Sequence, residues 1–134
     1  MTIKPLSPRE AALLATAHAY GVTVHMAELP GTLRGLYDAN TGRILLRTGM
    51  SDGQRVSTLA HELIHARRGD AGHQDPTHEA RIDEEAAGLL LTSEQVARAT
   101  DDVGTDSRDL AAALNTTPSL VDAWKRRAQT SFHS

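Results

Sequence analysis

Apolar residues recur along this chain with two periods, and the changes of period mark its elements. Between Ser51 and Gly69, the apolar positions Val56, Leu59, Leu63 and Ala66 fall three or four residues apart, which predicts a helix with one buried face. Ser51 and Gln54 form a capping box ahead of it, and Gly69, following Arg67 and Arg68, supplies the stop. Ile82, Ala86, Leu89 and Leu90 form a second apolar stripe, behind an Asp75-Pro76 pair that reads as N-cap and first helical residue. Nearer the start, Ser7-Pro8-Arg9-Glu10 is a capping box that opens a helix carrying Ala11, Leu14, Ala15 and His18, ended by Gly21.

Between the first helix and the Ser51 cap the period changes. Val22-Thr23-Val24-His25-Met26 alternates and is rich in β-branched residues, which predicts a strand. Thr32 to Tyr37 is a second strand candidate. Asp38-Ala39-Asn40-Thr41-Gly42 is turn chemistry, and Arg43-Ile44-Leu45-Leu46-Arg47 returns as a third strand. The expectation is a small antiparallel three-stranded sheet ahead of the second helix. The 43–47 strand is a candidate edge for an extended peptide to pair with by strand addition, or else a plain sheet strand.

The last third reads as helical. Ser93 opens a short helix through Thr100, and Asp101 to Asp106 is a polar linker. Leu110 to Leu114, the turn around Asn115, and a helix through Val121, Trp124 and Arg127 have helix-turn-helix spacing, with Asn115 suited to positive φ. The face that would enter a DNA groove offers Pro118, Ser119, Asp122 and Ala123, none suited to bidentate base contacts, and Asp122 repels phosphate. Lys125, Arg126 and Arg127 form the basic cluster of this segment and lie at its end. The pair is therefore expected to be structural or to dock a partner, not to bind DNA.

The candidate chemistry sits in the Ser51–Gly69 helix. His61-Glu62-Leu63-Ile64-His65 has the form H-E-x-x-H. Residues four apart share a helix face, so His61 and His65 can present two imidazoles to one metal ion, with Glu62 beside them as a base for water. A hydrolytic zinc site takes three protein ligands and keeps one position open. The chain has no cysteine, so the third ligand must be His, Asp or Glu. Glu79 on the next helix is assigned that role. Asp83, one turn on, is expected to accept a hydrogen bond from a ligand histidine, His65 being the first choice. His78, Glu84 and Glu85 compete with Glu79, and His73 lies in the intervening loop. Tyr37, His73 and His78 are candidates for stabilising an oxyanion.

These residues carry a resemblance. The H-E-x-x-H segment, together with Glu79-Ala80-Arg81-Ile82-Asp83-Glu84-Glu85-Ala86-Ala87-Gly88-Leu89-Leu90-Leu91-Thr92, resembles the ImmA/IrrE-type metallopeptidases, small gluzincins common in phages and mobile elements. The second segment is similar to that family's E-x-x-A-D-x-x-A-A-x-L-L-x-P run, with Ile82 for the usual Ala and Thr92 for the usual Pro. The resemblance covers roughly residues 7–127 and is strongest over 55–92. It implies Glu79 as the third zinc ligand. It also implies an intracellular zinc endopeptidase that cleaves or inactivates one partner, such as a repressor. The fold expected is α+β: a helical metallopeptidase core carrying the small sheet over 7–92, then a helix-turn-helix-like segment over 93–128, all in one domain spanning 1–134.

Composition narrows this further. A chain of 134 residues buries a normal core without staples. The absence of cysteine removes disulfides and thiolate sites and suits the cytoplasm. The start lacks an apolar signal-peptide region, and no run of eighteen apolar residues exists. A net charge of −3 gives no broad attraction to nucleic acid. Zinc is the expected ion for such N/O ligands, with manganese an alternative occupant. Two rival readings are a non-proteolytic regulator that binds a repressor or toxin through its helical surface, and a DNA-binding regulator with a structural metal.

Overall fold

The computed structural model describes residues 4–70 and 75–133. Among these residues the order is α1 (Pro8–Ala19), β1 (Thr23–Ala27), β2 (Gly35–Asp38), β3 (Arg43–Arg47), α2 (Asp52–Arg68), α3 (Pro76–Leu90), α4 (Ser93–Val103), α5 (Ser107–Leu114) and α6 (Pro118–His133). The class is α+β, as the change of period predicts.

The helix ends follow local chemistry. The Ser51 hydroxyl accepts from the Gln54 amide, and the Gln54 side chain accepts from the Ser51 amide. Gly69 closes α2 at φ 74°, a left-handed conformation that costs glycine little. Asp75 caps α3, with Pro76 in its first turn. The α4 helix is capped by Thr92 with Gln95, so it begins where Ser93 was expected to open it, but it runs on to Val103 and takes in part of the expected linker. At the first helix Ser7 caps through the Glu10 amide. The Glu10 carboxylate turns away from that box. It accepts from the Leu6 amide at 2.8 Å and from the Arg55 guanidinium through both oxygens, at 2.8 and 2.9 Å. This buried pair ties α1 to α2.

The sheet is mixed, which corrects the antiparallel expectation. Its order is β1-β3-β2. β2 and β3 form an antiparallel hairpin, Leu36 opposite Leu45, while β1 runs parallel to β3, Val24 opposite Ile44. Residues 28–34 carry the chain from β1 past the slot that β3 later fills. In Arg43–Arg47 the side chains of Ile44 and Leu46 are fully buried. Burial favours giving such a strand two neighbours. The 43–47 strand is therefore central, so it offers no edge for peptide pairing. β2, shorter than the expected Thr32–Tyr37 span, occupies one edge.

The core joins the sheet to α1, α2, α3 and α6 through Leu13, Val24, Ile44, Leu46, Leu59, Leu63, Ile82 and Leu120. A smaller cluster of Ala99, Leu110, Ala111 and Val121 holds α4, α5 and α6 together. Asn115 takes φ 52° between α5 and α6. The basic cluster is spent on internal contacts: Lys125 donates to the Thr105 carbonyl at 2.6 Å, Arg126 pairs with Glu84 at 3.5 Å, and Arg127 donates to the Glu84 carbonyl at 3.4 Å. Among the described residues, no helix is long and apolar enough to cross a membrane.

Candidate active site

The helix α2 positions three of the residues singled out by pattern. His61 and His65, one turn apart, face α3 with ring centroids 4.9 Å apart. His65 and Glu62 are buried. From α3, Glu79 projects between the two imidazoles. His61 Nε2 lies 2.9 Å from Glu79 Oε1, and His65 Nε2 lies 3.1 Å from Oε1 and 3.0 Å from Oε2.

Carboxylates hold the far side of both rings. His61 Nδ1 meets Asp83 Oδ1 at 2.6 Å. His65 Nδ1 meets Asp70 Oδ2 at 3.0 Å. Asp83 was expected to serve His65, and this pairing corrects that. Helical rotation puts Asp83, one turn beyond Glu79, beside the ring nearer the start of α2. Asp70 was missed by sequence reasoning. Gly69 turns the chain back so that the Asp70 amide donates to the His65 carbonyl at 3.0 Å, and the same reversal brings the Asp70 side chain to the His65 ring. The available signal was an acidic residue directly after a C-capping glycine.

The competing residues go elsewhere. His78 approaches Asp70 Oδ2 at 3.4 Å and so belongs to the support of His65. Glu84 pairs with Arg126, and Glu85 pairs with Arg67 and Arg68. Tyr37 packs against the core and does not line the cleft described below. His73 falls outside the described residues.

His61, His65 and Glu79 could hold a metal ion, since one ligand atom from each lies within 4.8 Å of the others. The donors fit. Atoms bound to one tetrahedral zinc at about 2.1 Å stand about 3.4 Å apart, so separations of 2.9–3.1 Å need only a small opening. Carboxylates on both Nδ1 atoms fix the tautomer that leaves each Nε2 lone pair for a metal. The charge balance agrees. Burial works against a charged His61, but Asp83, Glu62 and Glu79 outweigh it and raise its pKa from 6.5 to about 9. Burial pushes the Asp70 carboxyl up, and the hydrogen bonds from His65 and His78 bring it below its usual value.

A cleft of about 480 Å³ opens beside this group and reaches it at His61, while His65 and Glu79 lie outside its lining. Its lining comes from Pro30 and residues 32–35, from Ser57, Thr58, His61 and Glu62 of α2, from Asp83, and from Thr117 with Ser119 and Leu120 at the start of α6. Arg47 fixes the 29–33 segment by donating to the carbonyls of Leu29, Gly31 and Leu33 at 2.9, 2.7 and 2.8 Å. Gly35 lies so close to α2 that a Cβ there would stand 2.5 Å from Thr58 Cγ2 and 3.3 Å from Glu62 Cγ.

Residues 2–100 match the family model described as "Putative metallopeptidase family (DUF6782)". The chain belongs to the DUF6782 family. Membership points to a peptidase, in agreement with a His/Glu group that could hold a metal ion. The DUF6782 match stops at Thr100, so α5 and α6 lie beyond it although α6 lines the cleft. No curated protein matches the chain.

Proposed function

We propose that this DUF6782 protein is a zinc-dependent endopeptidase with a regulatory role, acting on a specific partner such as a repressor. The observation that carries the reading is the convergence of His61 Nε2, His65 Nε2 and Glu79 beside a cleft that His61 and Glu62 line. His61, His65 and Glu79 would hold the ion, and N/O donors of this kind suit zinc. When bound, the ion supplies Lewis acidity to a peptide carbonyl and brings the pKa of water toward neutrality. Glu62 accepts the proton of the attacking water and delivers it to the leaving amine. Asp83 and Asp70 keep the two imidazoles oriented through this proton transfer.

The substrate backbone would pair with β2 and not with β3. β2 has one partner strand, its other edge carries none among the described residues, and Gly35 brings that strand to the cleft beside Glu62. The resemblance to ImmA/IrrE-type proteins supports a regulatory target and a phage or mobile-element setting, with action in the cytoplasm of the host cell.

Glu62→Gln tests the reading. The variant is expected to keep its metal and lose cleavage. Mass spectrometry of newly formed protein N-termini, in cells making wild type or Glu62→Gln, should show new ends in one or a few proteins with wild type alone. Equal cleavage by Glu62→Gln would remove the mechanism, and new ends spread over many proteins would remove the regulatory role.

A further inference from the structure

The turn between α5 and α6 is anchored to the helix that carries His61 and Glu62. Asn115 Nδ2 donates to Asp52 Oδ2 at 2.7 Å. The Thr117 amide donates to Ser57 Oγ at 3.2 Å, one turn before His61. Arg9 of α1 donates to the Leu114 carbonyl at 2.9 Å and also to that of Asn115. Gly53 makes room for the turn, since a Cβ there would stand 2.9 Å from Asn115 Oδ1 and 3.1 Å from its backbone.

From this fixed turn α6 starts into the cleft. Thr117, Ser119 and Leu120 line it together with His61, Glu62, Thr32 and Leu33. The stretch from Thr117 to Leu120 presents two hydroxyls and an aliphatic chain, with no charge. The ionisable side chains that line the cleft, Arg34, His61, Glu62 and Asp83, stand on its other walls, so a charged side chain against this stretch meets no paired counter-charge. The stretch also lies beyond residues 2–100, the span of the family match.

We propose that the start of α6 is a specificity wall of the cleft, at which an extended peptide is selected for an uncharged side chain, with Ser119 the determining position. This rests on the peptidase reading. Ser119 is exposed and lies in the first turn of its helix, so substitution there leaves the core intact, and a Glu suits a helix N-terminus.

The test uses zinc-loaded full-length protein and short peptide hydroxamates, whose hydroxamate ligates the metal and fixes the register. One residue is varied among Ala, Leu, Lys and Glu, at each of the two positions next to the hydroxamate. Affinity is measured by competition, with metal content and thermal unfolding followed in parallel. Wild type is expected to prefer Ala and Leu at one position. Ser119→Glu should shift that position toward Lys by about fivefold, the scale of a partly exposed ion pair, and Ser119→Gln should keep the wild-type order. The same order in wild type and Ser119→Glu would overturn the proposal. So would failure of every hydroxamate to bind the metal-loaded protein, since the cleft would then not be a peptide site. Failure of the hydrolytic reading is distinguishable: wild type would bind hydroxamates yet form no new peptide ends, and the result for the wall would stand.

Discussion

Asp70 follows the glycine that ends α2, and its carboxylate meets His65 Nδ1 at 3.0 Å while also accepting from His78 at 3.4 Å. Asp83 performs the matching task for His61 at 2.6 Å. Carboxylates behind ligand imidazoles typically contribute 10–100-fold to metal affinity. Asp70→Ala and Asp83→Ala are each expected to weaken zinc binding by about that factor, measured by competition with a chelator of known affinity. Wild-type affinity in both variants would mean that the two carboxylates do not support the site.

Proton release should accompany metal binding. The His61 pKa is raised from 6.5 to about 9 in the metal-free protein. Because the folded value is raised, the charge on His61 stabilises the metal-free fold fully below pH 6.5, and that contribution is lost as pH rises through about 9. A metal must displace this proton, so affinity runs the opposite way and rises with pH until about 9. Calorimetric zinc titrations in buffers of different ionisation enthalpy should show about one proton released per ion near neutral pH, and progressively less above pH 9. Absence of release at neutral pH would show that His61 is already neutral there.

Gly35 sets the distance between β2 and α2. Gly35→Ala places a carbon 2.5 Å from Thr58 Cγ2 and 3.3 Å from Glu62 Cγ. Overpacking of this kind costs about 1–3 kcal/mol and displaces neighbours. The variant is expected to lose stability in denaturant unfolding and to lose turnover more than metal. Thr58→Ser removes the closer of the two carbons, so the double variant should recover most of the stability. No recovery would place the strain elsewhere.

The Glu10–Arg55 pair is buried on both sides. Breaking such a pair leaves one charge without its partner, at about 3–5 kcal/mol. Arg55→Ala is expected to fall in that range by chemical denaturation, whereas Glu10→Leu with Arg55→Met should be much closer to wild type. Equal losses in the two proteins would mean that packing, not the stranded charge, accounts for the effect.

Local rules made much of the chain legible in advance. Capping residues and apolar periods marked α2 and α3 because those signals act within a few residues and need no knowledge of the rest of the fold. The i, i+4 geometry of one helix put His61 and His65 on a common face, and an N-cap with proline placed Glu79 in the first turn of the next. The left-handed conformation at Asn115 was legible for the same reason.

Tertiary packing decided the rest. Alternation marks a strand but carries no record of its neighbour, so the order β1-β3-β2 and the parallel pairing of β1 with β3 depend on how the β2–β3 hairpin docks against β1. Which carboxylate meets which imidazole depends on the rotation of α3 against α2 and on the reversal at Gly69, neither of which is encoded by spacing. Thr117, Ser119 and Leu120 reach the cleft only because hydrogen bonds between residues far apart in sequence dock the last turn on α2. The sequence by itself determined the chemistry of the donors, since that is a property of residue type and local helix geometry. Their partners and the walls around them depend on long-range packing, and only the tertiary structure settled those.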